Sequence, residues 1–376
     1  MTRRVLLVAN TGTFVGGGQV SLMGLVDHMD RDRFEPYVVC PEEGDFSEAL
    51  LERGIPTLVR RMPSFRGWSA LRVPFALSAW LDLVRRYRIE LLHADGTRAM
   101  MHAGPVGRLA SVPVLWHVRV LGTDGLLDRA LARIATRVLV NSHAVAHRFD
   151  FLEARAGSRG PRVIHNGVDL EPFTHARPDL ALRRQWGLEG KLVLASLAQL
   201  IPWKRQDLAI EVLSLLRARG VDATLLLIGD EVPASRGERA RLEDVAKRRR
   251  VQDHCVFAGF RRDVPQVLKQ ADLLIHTARN EPFGRALIEA MASSLAVVAS
   301  VGGGVEEIVQ DGVTGVVVRS DSPEVWAEAI ARLYRDQALR RRMGAAGRRR
   351  AEEYFSVESH VAGVEHVYEE VLSSTQ

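Results

Sequence analysis

Cysteine is nearly absent from this chain of 376 residues: Cys40 and Cys255 stand far apart, share no C-x-x-C spacing, and each falls in or beside an apolar strand-like run. They offer no disulfide framework and read as buried free thiols of a reducing cytoplasm. Long apolar runs are missing as well, with no stretch near the roughly 18 uninterrupted residues of a spanning helix. The opening MTRRVLLVAN passes from two arginines into a short strand, too brief for a signal-peptide core. The expectation is a soluble, cytoplasmic protein. No low-complexity tract is present. No G-x-G-x-x-G with an acid about 20 residues further on appears either, which argues against a dinucleotide-dependent oxidoreductase. His143 and His147 lie one helical turn apart without the glutamate of H-E-x-x-H or an evident third ligand, so no metal site is expected.

What is present is a core-forming composition, 47% hydrophobic, enough for two domains of ordinary size. The net charge of +5 permits an anionic partner such as a nucleotide, a phospholipid surface or nucleic acid without choosing among them. Short β-branched runs alternate with amphipathic helical patterns from end to end. Strands are predicted at 5–10, 37–40, 89–93, 113–117 and 138–141, and a second series at 192–197, 223–229, 254–258, 273–277, 296–300 and 316–318. This is the βαβ pattern of parallel sheets, and the chain reads as two doubly wound Rossmann-like α/β domains. Both periodicities break between Val168 and Gly187. The expected units are 1–172, 173–354 and a final helical segment, 355–376, that packs back on the first domain. The arginine-rich run from Arg340 to Arg350 reads as a solvated helix face.

The most informative segment is Glu281-Pro-Phe-Gly-Arg-Ala-Leu-Ile-Glu289. On one helix its two glutamates would stand about 80° apart, at about 100° per residue, so a shared face explains them poorly. A residue before proline is pushed out of the α region, which puts Glu281 in a loop. The helix then starts between Pro282 and Gly284 and carries Glu289 two turns down.

With four other landmarks in order, this segment resembles the retaining glycosyltransferases of family 4, with the two-Rossmann-domain GT-B architecture. The others are the loop Gly16-Gly17-Gly18, His117 after a strand, His165-Asn-Gly-Val-Asp169, and Gln199-Leu-Ile-Pro-Trp-Lys204. The resemblance spans nearly the whole length and implies two domains facing across a cleft, closing over a nucleoside diphosphate sugar, with UDP the expected base. The glycine loop precedes a helix, so the amides of Gly17 and Gly18 can approach an anion, though a triplet alone also fits a plain tight turn. The resemblance implies that Lys204 contacts the donor diphosphate, where a lysine supplies a point charge. The family has an arginine where this chain has Gln199, a loss that Arg205, Arg119 or Arg285 could restore. It also implies that Glu281 binds hydroxyls of the transferred sugar near the reacting carbon and that Glu289 accepts from the ribose. Carboxylates suit both jobs because they accept two hydroxyls at once. Backbone around Phe283, Gly284 and Arg285 is expected at the sugar and phosphates, and Gly259, Phe260 and Arg261 near the base. His117 is expected at the sugar beside the reacting centre, with His93 a second candidate.

Catalytic weight is thus expected on His117, Glu281 and Lys204, in transfer of a hexose with retention to a glycan, lipid or small-molecule acceptor, as in glycan or cell-envelope biosynthesis. The lone D-x-D, Asp30-Arg-Asp32, lies in a polar turn rather than after an apolar strand, so no divalent cation or other cofactor is expected. Nucleic acid is not an expected partner. The aromatic-basic stretch from Arg60 to Trp68 fits either a peripheral membrane contact or an acceptor loop. A sugar-nucleotide epimerase of the same architecture and a catalytically weak nucleotide-binding scaffold are the alternatives; Gln199 is the best argument for the scaffold.

Overall fold

A computed structural model describes residues 2–153 and 160–374. The chain forms two compact units, Met1–Gly167 with Val357–Gln376, and Val168–Ser356. The breaks follow the cores. Val168, Phe173 and Phe355 are buried with Leu188, Val193 and Phe283 in the second unit. Val357, Val361, Val364 and Tyr368 are buried with Val5 and Leu7 in the first. The first break therefore precedes the expected 172/173, and the second falls just after 354/355.

In the first unit the strands are β1 (Arg3–Val8), β2 (Phe34–Cys40), β3 (Thr57–Val59), β4 (Leu91–Asp95), β5 (Val114–Val118), β6 (Arg137–Val140) and β7 (Arg162–Val163). They make a seven-stranded sheet in the order β3-β2-β1-β4-β5-β6-β7. The second unit holds β8 (Leu192–Leu197), β9 (Ala223–Ile228), β10 (Cys255–Gly259), β11 (Leu273–His276), β12 (Ala296–Ser300) and β13 (Gly315–Val318), ordered β10-β9-β8-β11-β12-β13. Every ladder between these strands is parallel. Parallel sheets covered by helices on both faces need apolar side chains at successive positions. In β1, Leu6 and Val8 enter one core while Val5 and Leu7 enter the other. In β9, Leu225 and Leu227 face one layer, Leu226 and Ile228 the opposite one. The edge strands β3 and β7, three and two residues long, are too short to carry a period and were not predicted.

The closing helix, Val357–Ser373, belongs to the first unit, where its stripe Val357, Val361, Val364, Tyr368 and Val371 is buried at helical spacing. The arginine run is only partly a solvated face. Arg340 is buried and donates to the Leu333 carbonyl and to Asp272. Arg350 donates to the carbonyls of Ile308 and Glu307 and lies over the rings of Tyr354 and Phe355. Arg341, Arg342 and Arg349 are exposed. Cys40 is buried and Cys255 half-buried, both free; burial pushes each thiol up to about 12. Among the described residues no helix is long and apolar enough to cross a membrane.

Candidate functional site

In the second unit the strand order reverses between β8 and β11. Open parallel sheets present ligands with a crevice at such a switch point, outside the carboxyl ends of the strands. Two loops leave these ends. From β8 the chain runs through Gln199 into the turn Pro202–Lys204 and the left-handed Arg205 (φ 54°) before the helix Gln206–Ala218. From β11 it passes Thr277 and Asn280 (φ 49°) to Glu281 and the helix Arg285–Ala292. Thr277 Oγ1 lies 2.8 Å from the carbonyls of both Lys204 and Arg205 and ties one loop to the other.

The β8 loop and the end of β11 bring two groups, Lys204 and His276, onto one carboxylate oxygen of Glu281. Lys204 Nζ is 2.5 Å from Glu281 Oε2, and His276 Nε2 donates to the same oxygen at 3.1 Å. The Glu281 side chain is 9% exposed and His276 4%. Burial works against the charge on Glu281, but the hydrogen bond from His276 and the Lys204 ammonium outweigh it and hold the carboxyl at about 2. Glu281 is therefore ionised at neutral pH, an acceptor and not an acid. Lys204 Nζ also stands 4.1 Å from the centre of the Trp203 ring.

A glycine loop after β12 fixes the height of Glu281. Gly303 bridges to Glu281, and Gly304 N–H donates to its carbonyl at 2.8 Å. A Cβ on Gly303 would stand 2.0 Å from that carbonyl oxygen, and φ at Gly303 is +64°. Only glycine fits. The helix that follows Glu281 begins at Arg285 with Gly284 as its cap (φ 111°). Glu289 is therefore a little over one turn from the start, not two as expected, because Pro282 and Phe283 complete the loop first. Its carboxylate is 3.5 Å from Arg285, and both side chains are mostly covered. Burial raises the Glu289 pKa and Arg285 opposes it.

The first unit carries its own polar cluster near the carboxyl ends of β4 and β5. His93 and His117 are both fully buried. His93 Nε2 is 3.1 Å from His117 Nδ1, and His93 Nδ1 is 2.6 Å from Tyr368 Oη. Arg119 reaches Asp95 at 2.9 Å, Asn166 at 2.5 Å and His117 Nδ1 at 3.2 Å. Gly17 and Gly18 form the first turn of the helix Gly17–His28 behind an extended Gly16, and a Cβ on Gly18 would meet nothing within 4 Å.

Two family models match this architecture, Glycosyltransferase Family 4 over residues 15–172 and Glycosyl transferases group 1 over residues 179–350. The chain belongs to glycosyltransferase family 4. It is 30% identical over 268 residues to the D-inositol 3-phosphate glycosyltransferase of Salinispora arenicola, covering 68% of this chain and 58% of that relative. The match thus spans less than two thirds of that protein's length. A GDP-mannose-dependent alpha-mannosyltransferase of Mycolicibacterium smegmatis is 28% identical over 356 residues, 89% of this chain and 88% of the relative. Among solved structures, Anabaena HepE in complex with UDP-glucose superposes with a TM-score of 0.84 at 23% identity, covering 98% of this chain and 99% of that one. That likeness fixes the GT-B fold.

In this family 4 glycosyltransferase the structure gathers Lys204, Glu281, Arg285 and Glu289 around one switch point, while His117 and Gly17–Gly18 belong to the other unit. Phe283 is 2% exposed and packs on Phe355, so any contact it makes to a ligand runs through its backbone. Gln199 offers its carbonyl to Gln206 Nε2 at 2.7 Å. The three arginines that could replace the missing one each have an acid already: Arg205 pairs with Asp321, Arg119 with Asp95 and Arg285 with Glu289. Gly259 accepts from Gly229 N–H at 2.9 Å. Phe260 is exposed, and Arg261 is held by Asp263 and the Trp186 ring. Asp30-Arg-Asp32 is a self-bonded turn, with Asp30 Oδ1 accepting from Asp32 N–H. No cluster of His, Cys, Asp or Glu able to hold a metal occurs among the described residues. Two features escaped the sequence reading, His276 and the Gly302-Gly303-Gly304 loop. Their signals were a histidine next to the last residue of a predicted strand, five positions before Glu281, and a second glycine triplet one residue after another predicted strand.

Proposed function

We propose that this glycosyltransferase moves a hexose from a nucleoside diphosphate sugar to a hydroxyl acceptor with retention at the anomeric carbon. The observation that carries the reading is the Lys204–Glu281–His276 cluster at the β8/β11 switch point, with Glu289 on the helix behind it. The donor binds in the second unit. Its diphosphate competes with Glu281 for the Lys204 ammonium, and amides at the start of the helix Arg285–Ala292 add positive field. Glu281, freed on one side, accepts hydroxyls of the sugar. The bond from the anomeric carbon to the phosphate oxygen breaks as the acceptor oxygen bonds on the same face, and the acceptor's proton passes to the leaving phosphate. UDP is the base placed first, since a protein of the same fold binds UDP-glucose; the GDP-mannose-dependent relative makes GDP the rival.

Glu289 supplies the test. A thermal-shift series with UDP, GDP and ADP is expected to show one nucleotide stabilising the wild type, by about 2.7 kcal/mol at 100 times its Kd, and the Glu289→Ala protein much less. Equal shifts in both proteins would remove Glu289 from the ribose. No shift with any nucleotide would count against the donor assignment itself. Turnover of the donor to an epimerised product with no acceptor present would point to the epimerase.

We also propose that the first unit meets an anionic membrane surface. Trp68 (89% exposed), Leu71 and Phe75 project on successive turns of the segment Gly67–Arg72 and the helix Val73–Arg86, flanked by exposed Arg60, Arg61, Arg66 and Arg72. Apolar tips in a basic rim are the chemistry of interfacial anchoring. Flotation with vesicles containing phosphatidylglycerol is expected to carry the wild type and not the Trp68→Ser/Phe75→Ser double variant. Equal flotation of both, or binding to purely zwitterionic vesicles, would sink the idea.

A further inference from the structure

The buried cluster of the first unit has a direction. We propose that Arg119, His93 and Tyr368 are positioning residues that hold His117 as the neutral tautomer with its proton on Nε2, a hydrogen-bond donor presented to an acceptor oxygen of the substrate. The substrate clause rests on the glycosyltransferase reading above; the tautomer does not.

A guanidinium only donates. Arg119 Nη2 stands 3.2 Å from His117 Nδ1, so that nitrogen must present its lone pair and the proton must be on Nε2. The guanidinium cannot turn away, because Asp95 accepts from its Nε at 2.9 Å and Asn166 from its Nη1 at 2.5 Å, with the side chains of Arg119 and Asp95 10% and 7% exposed. A second line of donors agrees. His93 Nε2 faces the same lone pair at 3.1 Å and must carry a proton. His93 Nδ1 is then an acceptor, and Tyr368 Oη, 2.6 Å away, donates to it. Reversing the chain would set a His117 Nδ1 proton against the N–H of Arg119.

The charged forms are disfavoured as well. Burial and then the Arg119 cation lower the pKa of both imidazoles, His93 to about 3. Burial pushes the Tyr368 phenol upward, so it keeps its proton and does not act as a source of one. One nitrogen is left over: His117 Nε2 is buried without a hydrogen-bond partner in the protein. Buried donors in native proteins find acceptors. The ring of His360 lies 6.1 Å away, centre to centre, with its Nδ1 donating to the His165 carbonyl at 2.8 Å. A water shared with His360 is therefore the competing use of the His117 proton.

Nitrogen-15 spectra of histidine-labelled protein decide the tautomer, with His117→Phe identifying the signal. The expected result is a single Nε2–H form of His117, unchanged between about pH 5.5 and 8. An Nδ1–H form or a titrating imidazolium would overturn the proposal. Arg119→Met is expected to give mixed tautomers at His117 and at least a tenfold lower kcat with nucleotide affinity retained, and Arg119→Lys to recover part of both. Tyr368→Phe, which keeps the packing against Phe34, is expected to disorder the tautomer of His93 and cost kcat several-fold, and it serves if Arg119→Met fails to fold. Unchanged kcat in a variant with altered tautomers would show that the His117 proton serves only a structural water. Failure of any nucleotide to bind would count against the glycosyltransferase reading and leave the spectra standing.

Discussion

Glu281→Gln is expected to lower turnover at saturating donor by about 10²-fold or more, the scale on which removing one preorganised electrostatic contact acts. The amide keeps the shape and can still accept from His276, but it no longer holds the Lys204 ammonium or accepts two sugar hydroxyls with full charge. The same variant isolates the charge in stability. The Glu281 pKa is depressed from 4.5 to about 2. Its ionised form therefore contributes stability that is present above pH 4.5 and lost as pH falls towards 2. Melting temperatures of wild type and Glu281→Gln are thus expected to differ most near neutrality, by the equivalent of a few kcal/mol. They should converge as the pH drops through that window. Turnover near the wild-type rate would mean that Glu281 is only a structural anchor for Lys204.

Gly303→Ala is expected to be among the most damaging single methyls in the second unit. The new Cβ would fall 2.0 Å from the Glu281 carbonyl oxygen at a positive φ, and the neighbouring Gly304 amide is bonded to that same oxygen. Backbone must give way on one side, at a cost on the order of 3 kcal/mol from strain and overpacking together. The loop that moves carries Glu281. Both stability in denaturant and turnover should fall. Gly18→Ala is the internal control, since its methyl meets nothing within 4 Å, and it should leave the denaturation midpoint in place. A Gly303→Ala protein as stable as Gly18→Ala and as active as the wild type would show that the glycine loop does not hold Glu281.

The sequence made the sheets legible because strands buried on both faces appear as apolar runs, and β1, β8 and β11 are of this kind. β3 and β7 were hidden by their length, since no period can be read from two or three residues. Proline places Glu281 in a loop by a steric rule that acts on adjacent residues, and such a rule is legible in sequence. The partners of Glu281 were harder. Lys204 is 77 positions away, and His276 looked like the end of an ordinary strand; only the parallel pairing of β8 with β11 makes them neighbours. The arginine run misled in part because amino-acid type gives no sign of which positions on a helix turn inward, as Arg340 and Arg350 do.

The first unit is assembled from two segments that flank the second: Val5 and Leu7 share a core with Val361, Val364 and Tyr368, while Val168–Ser356 between them is one continuous unit. On the ribosome, where segments fold in the order they emerge, the second unit can close before the first has all its parts. The amino-terminal sheet must wait for a helix made after the whole of the second unit. A cut or fusion that disturbs Val357–Ser373 would therefore register as damage to β1 and to the histidines of β4 and β5, on the far side of the second unit in sequence.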